Sequence, residues 1–239
     1  MLGLGSSITS ASVPSEDFSL GDISGLQLWL KYNTDITTVS GEVSQWNDQS
    51  GNDRHAKQTT SGRRPAFSSG DVDFDGVDDR LELDSDLSFG VVSFFAVIDP
   101  QQATPTTESV AGSSSVNYIR VHQGGDVDRV TFRVTSGNIS DQTNLTEDLP
   151  TDKFLLTVIR QSGTTDNVIV RVNGSVVTHT ANDDSDSSDN FTINSIATSG
   201  GGLNPFDGLI NEIAAYNVEV SGGDLTNVEN DIMTRNSIS

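Results

Sequence analysis

Carboxylates form the strongest chemical pattern in the chain. Asp71-Val72-Asp73-Phe74-Asp75-Gly76, followed by Glu82, matches the calcium-loop spacing: oxygen ligands alternate, a glycine permits the sharp turn and a late glutamate closes the shell. Such a loop works as an EF-hand only between two helices. Here the flanks alternate, with Val72 and Phe74 on one side and Leu81 and Leu83 on the other. They read as two strands joined by the turn Asp75-Gly76-Val77-Asp78-Asp79. That leaves a calcium site built from the loop carboxylates Asp75, Asp78 and Asp79, because hard cations take clustered oxygens. The first reading of these residues is turn geometry and solubility, and the cation site is its alternative.

A second polar cluster, Trp46-Asn47-Asp48-Gln49-Ser50-Gly51-Asn52-Asp53, has the residue types that close tight turns by bonding to their own backbone. Asp48 and Asn52 could also offer oxygens to a sugar or a cation, with turn formation the first reading. Trp29 and Trp46 could stack on a sugar ring, although in a chain with 6% aromatics a tryptophan serves more often as a core anchor.

Patterns for catalysis are thin, and no enzyme is expected. Glycoside hydrolysis needs two carboxylates across the scissile bond. Glu212, in Gly208-Leu209-Ile210-Asn211-Glu212-Ile213, is the best single candidate and has no partner carboxylate along its strand. His55, His122 and His179 lack metal-ligand spacing and any neighbouring nucleophile elbow. No phosphate-cradling glycine loop ends in lysine.

The elements that must position these residues are strands. Leu26, Leu28 and Leu30 alternate with Gln27, Trp29 and Lys31, which puts the leucines on one face and Trp29 on the other. Similar runs recur at 43–46, 72–74, 81–83, 91–98, 118–121, 130–134, 154–159, 168–172, 193–196 and 209–216, the spacing of an all-β sandwich. Asn173-Gly174 between two β-branched runs predicts a tight hairpin, because both residues accept the positive φ of a type I′ turn. Only the end of the chain changes period. After Ser221-Gly222-Gly223-Asp224, the residues Leu225, Val228, Ile232 and Met233 form one helical stripe, so a short C-terminal helix should pack on the sandwich.

Composition agrees with one large sandwich. Only 33% of the 239 residues are hydrophobic, and 22 are glycine, which suits short strands and many turns. A net charge of −21 repels phosphate backbones and anionic bilayers, so neither nucleic acid nor membrane insertion is expected. With no cysteine there is no disulfide or thiolate chemistry, which mildly favours assembly in a reducing cytoplasm. Residues 1–17 match neither period and read as an extended arm with isolated apolar residues at Leu2, Leu4, Ile8 and Val13, ahead of a domain at 18–239. The start lacks the features of a signal peptide.

Three segments together resemble a known family. Gly25-Leu26-Gln27-Leu28-Trp29-Leu30, then Val43-Ser44-Gln45-Trp46-Asn47-Asp48-Gln49-Ser50-Gly51-Asn52 with Arg64-Pro65, then Val72-Asp73-Phe74-Asp75-Gly76-Val77-Asp78-Asp79-Arg80-Leu81 are similar to the laminin-G-like, concanavalin A-like jelly-roll domains. Phe206-Asp207-Gly208-Leu209-Ile210-Asn211-Glu212-Ile213-Ala214-Ala215-Tyr216 and the helix after it resemble the closing strand and tail of that family. The resemblance implies two antiparallel sheets packed face to face, a scaffold shared by lectins, glycosidases, adhesion modules and virion proteins. With the arm, it resembles tailed-bacteriophage virion proteins. The expectation is therefore a non-enzymatic virion component, a capsid decoration or fibre-like appendage assembled in the host cytoplasm. It would be docked on capsid, neck or tail proteins through the arm, homo-oligomeric, and turned outward toward host-surface polysaccharide. The alternative is a carbohydrate-binding, lectin-like module using Asp48, Asn52, Asp75, Asp78 and Asp79. No cofactor is expected beyond calcium at those residues.

Overall fold

A computed structural model of the chain describes residues 18–102, 104, 106–134, 140–145, 148–163, 168–177, 179–180 and 189–239. The arm at 1–17, with Leu2, Leu4, Ile8 and Val13, lies outside the described residues. The rest is the expected all-β fold with a C-terminal helix.

Every strand pairing is antiparallel. One layer runs Leu26–Leu30, Asp207–Tyr216, Val92–Pro100, Phe154–Arg160, Val168–Val172 and Ser175–Val176. The other runs Ala56–Lys57, Leu81–Phe89, Phe191–Ile196, Glu108–Ser114, Asn117–Val121, Arg129–Arg133, Ser140–Leu145 and His179–Thr180. A ribbon of shorter strands joins them along one edge: Asp71–Asp75 pairs with the start of Asp207–Tyr216 and with Ala66–Ser68, which leads through Glu42–Trp46 to Ala56–Lys57. The turn after Asp75 thus carries the chain out of the first layer and into the second.

The strand Val92–Pro100 shows how the layers are held. Phe94, Ala96 and Ile98 enter the core between the sheets, where they meet Leu81, Phe89, Ile119, Phe132 and Phe191. Phe95 and Val97 face the opposite way and join Trp29, Leu155 and Tyr216 under Val228 and Ile232 of the helix Gly222–Arg235. A strand covered on both faces reads as a near-continuous apolar run, and Val-Ser-Phe-Phe-Ala-Val-Ile breaks it only at Ser93, whose hydroxyl donates to Val218 O and accepts from the Val220 N–H.

Two sequence expectations meet local detail. Asn173 (φ 48°) and Gly174 (φ 74°) make the hairpin turn as anticipated. Leu26, however, does not share a face with Leu28 and Leu30. It packs with Trp29 on the helix side, because the register slips between Leu26 and Leu28 and an extra residue resets the alternation.

Candidate functional site

The turn between the layers gathers the predicted carboxylates. Asp75 Oδ1 accepts the backbone N–H groups of Val77 (2.9 Å), Asp78 (3.3 Å) and Asp79 (3.4 Å), while the Asp75 N–H donates to Asp79 Oδ2 at 3.2 Å. Gly76 makes this possible with φ +70°, and a Cβ there would lie 2.7 Å from Asp207 Cβ. Carboxylate oxygens of Asp75, Asp78 and Asp79 lie within 4.8 Å of one another. Arg63 Nε approaches Asp78 Oδ2 at 3.5 Å.

The electrostatics are those of crowded acids. Burial, then the charge of Asp75, pushes the Asp79 carboxyl up to about 7. Burial and neighbouring carboxylates also raise Asp73 and Asp207 above the ordinary range. These residues share a surface: Asp207 pairs with Asp75, and Leu209 pairs with both Asp73 and Asp99. An all-oxygen donor set of this kind suits a hard cation such as calcium, which would have to displace the proton that Asp79 holds near neutrality.

Beside this acidic end is a cavity of about 430 Å³, bounded by Asp99, Gln101, His122 and Asp148 with apolar walls from Val127 and Leu149. Its deepest support is Glu108, fully buried at the start of Glu108–Ser114. Glu108 Oε2 lies 2.8 Å from His122 Nδ1, and Oε1 accepts the Asp207 N–H at 3.0 Å. One glutamate therefore connects a cavity-lining imidazole to the strand that borders the carboxylate turn. Sequence spacing gives no hint of this pairing. The polar and small residues of Glu108–Ser114 conceal a strand, and only its pairing with Asn117–Val121, in which Glu108 lies opposite Val121, brings Glu108 next to His122.

The second cluster lies elsewhere. Asp48, 7% exposed, accepts N–H groups from Trp29 (2.8 Å), Ser50 (2.9 Å) and Arg54 (3.0 Å) and the Ser50 hydroxyl (2.7 Å). Its own N–H donates to His55 Nδ1 at 3.1 Å. Asn52 Nδ2 donates to Leu26 O at 3.0 Å. Asp48 and Asn52 thereby cover the edge of Leu26–Leu30 and are not part of the carboxylate trio. Trp29 and Trp46 are buried, as core anchors should be.

Glu212 is also buried. It accepts from Trp29 Nε1 (2.7 Å), from the Arg235 guanidinium (2.9 and 3.1 Å) and from Asn236 Nδ2 (2.7 Å). All these donors belong to the outer sheet face or the end of the helix, so Glu212 fastens the helix to the sheet. His179 lies in a strand with only its backbone described.

No family model and no curated protein matches the chain. Solved structures do. Domain 4 of AbnA, a GH43 extracellular arabinanase from Geobacillus stearothermophilus, in complex with arabinotriose, aligns with a TM-score of 0.61 at 18% identity, covering 86% of this chain and 98% of that domain. Trypanosoma rangeli sialidase in complex with sialic acid aligns with a TM-score of 0.58 at 12% identity, covering 89% of this chain. The chain spans about a third of the length of that sialidase, 33% of it. At these identities the likeness is one of fold, the β-sandwich.

Proposed function

We propose that the chain is a non-catalytic carbohydrate-binding module of the laminin-G-like, concanavalin A-like type, with a saccharide seated in the cavity beside the acidic turn. The observation that carries this reading is the cavity itself. It pairs apolar walls from Val127 and Leu149 with carboxylate, amide and imidazole groups that can hydrogen-bond neighbouring hydroxyls. The fold it shares with a domain solved in complex with arabinotriose supports the same reading. So does the engagement of Glu212, the one carboxylate singled out for hydrolysis, in fastening the helix.

Calcium belongs to the proposal as an aid. Asp75, Asp78 and Asp79 would hold it, and its charge would neutralise the crowded turn next to Asp207. A place on a virion depends on the arm at 1–17, outside the described residues, and among the two readings the fold favours glycan binding.

The test is a glycan array followed by calorimetry on the intact chain, with calcium and with chelator. Binding of at least one oligosaccharide, weakened about tenfold or more by His122→Ala with the fold retained by circular dichroism, is the expected result. Absence of binding to any glycan, or binding indifferent to His122→Ala and Gln101→Ala, would refute it.

A further inference from the structure

We infer that the cavity selects saccharides carrying a protonated amine and rejects those carrying carboxylate or sulfate. The inference rests on the carbohydrate-binding reading and names the class of sugar.

The lining decides the sign of the field. Asp99 and Asp148 both border the cavity, and no lysine or arginine is among its described lining residues. Further acids reinforce them, since the charges of Asp152 and Asp71 bear on Asp99. Lys153 is the cation that acts on Asp99 in the opposite sense. The imidazole of His122 does not reverse the balance, because the buried Glu108 carboxylate lies 2.8 Å behind it. A ligand entering between Asp99 and Asp148 therefore meets carboxylate oxygens that accept hydrogen bonds, and these bonds strengthen when the donor is charged. An ammonium at a sugar carbon supplies such a donor. A sialic or uronic carboxylate meets like charge in a partly enclosed site, where screening is weaker than in open water.

The geometry separates this site from the rest of the acidic surface. About half of the described acids are exposed and repel anions from open surface. Here two carboxylates share a concave space with Gln101, His122 and an apolar wall at Leu149, so charge and shape act on the same ligand.

The experiment is calorimetry on the intact chain with four oligosaccharides of equal length: a fully deacetylated glucosamine oligomer, its N-acetylated counterpart, a neutral arabinose oligomer and a uronate oligomer. The expected order is the amine-bearing oligomer about tenfold tighter than its acetylated form, with no uronate binding. Raising salt from low to physiological strength should shrink that advantage. Asp99→Asn and the more exposed Asp148→Asn should each reduce the ratio of amine-bearing to acetylated affinity severalfold. If acetylated, neutral and amine-bearing oligomers bind equally, or uronate binds best, the charge selection is overturned while the carbohydrate-binding reading stands. If none of the four binds and the glycan array is also blank, both fall.

Discussion

The two acid-rich regions of this molecule treat the same functional group in opposite ways. Beneath the helix, Glu212 and Glu229 are almost fully buried, at 1% and 2% exposure, and each is matched by cations and neutral donors. Glu229 takes Arg171 through both oxygens, at 2.8 and 2.9 Å, and the Thr157 hydroxyl at 3.1 Å. Glu212 takes Arg235, Asn236 and Trp29. At the other region, Asp75, Asp78 and Asp79 lie within 4.8 Å of one another, with Arg63 at 3.5 Å from Asp78 as counterion, and Asp79 is driven toward protonation. Paired acids hold the fold together. Crowded acids carry an electrostatic cost that a ligand can relieve, which is why the second region is where binding is sought.

The comparison can be broken first at the helix. Glu212→Ala removes the buried acceptor shared by the half-buried Arg235 guanidinium, Asn236 and the Trp29 indole, leaving Arg235 with Asp231 and Asn236 with the Ile232 carbonyl, and should cost about 2–4 kcal/mol in denaturant unfolding. A loss below about 1 kcal/mol would show that the network does not hold the helix.

A smaller effect is expected at the turn. Gly76→Ala sets a Cβ 2.7 Å from Asp207 Cβ at φ +70°, and should destabilise by about 1–3 kcal/mol and weaken any calcium-dependent rise in melting temperature. Wild-type stability matched by the variant would mean that the turn is more pliant than its hydrogen bonds suggest.

The pH response should run opposite to that of a salt-bridged acid. The Asp79 carboxyl is raised from 3.8 to about 7 in the folded chain, so between those values the folded state holds a proton that the unfolded state has lost. Its contribution to stability is present below about pH 4 and is lost as pH rises toward 7. Asp79→Asn should flatten that fall, by about 1 kcal/mol once solvent screening is allowed for, in melts taken across pH 4 to 8. A steeper fall in the variant would reverse the assignment.

The smallest effect sharpens the contrast. Lys57 and Asp84 form an ion pair at 2.8 Å with both side chains 37% exposed, and Lys57→Ala should change stability by no more than about 0.5 kcal/mol. A paired acid in water contributes little. The same pairing under the helix is strong because water is excluded.

Much of the scaffold was legible residue by residue. Alternation in Leu81–Phe89, the β-branched runs around Asn173-Gly174 and the stripe of Leu225, Val228, Ile232 and Met233 each encode a local geometry that needs no distant partner. The carboxylate turn was legible too, because Asp75 organises it through bonds from Val77, Asp78 and Asp79. The strand Glu108–Ser114 was not, since small and polar residues give no period, and neither was the bulge that turns Leu26. The cavity brings together residues from 99–102, 122–127 and 148–151, which no spacing rule joins.

By itself, then, the sequence determined the strands that carry a hydrophobic period, the Asn173-Gly174 turn, the helix and the acidic character of the surface, because dihedral preference and hydrophobic period act between near neighbours. Tertiary structure alone decided what each acid does. Whether a carboxylate is paired, crowded or turned into a cavity depends on which residues pack around it and how far they exclude water, and those neighbours arrive from other strands. Glu212 and Asp79 look alike in sequence. One lies against an arginine and the other against an aspartate, and only folding makes that difference.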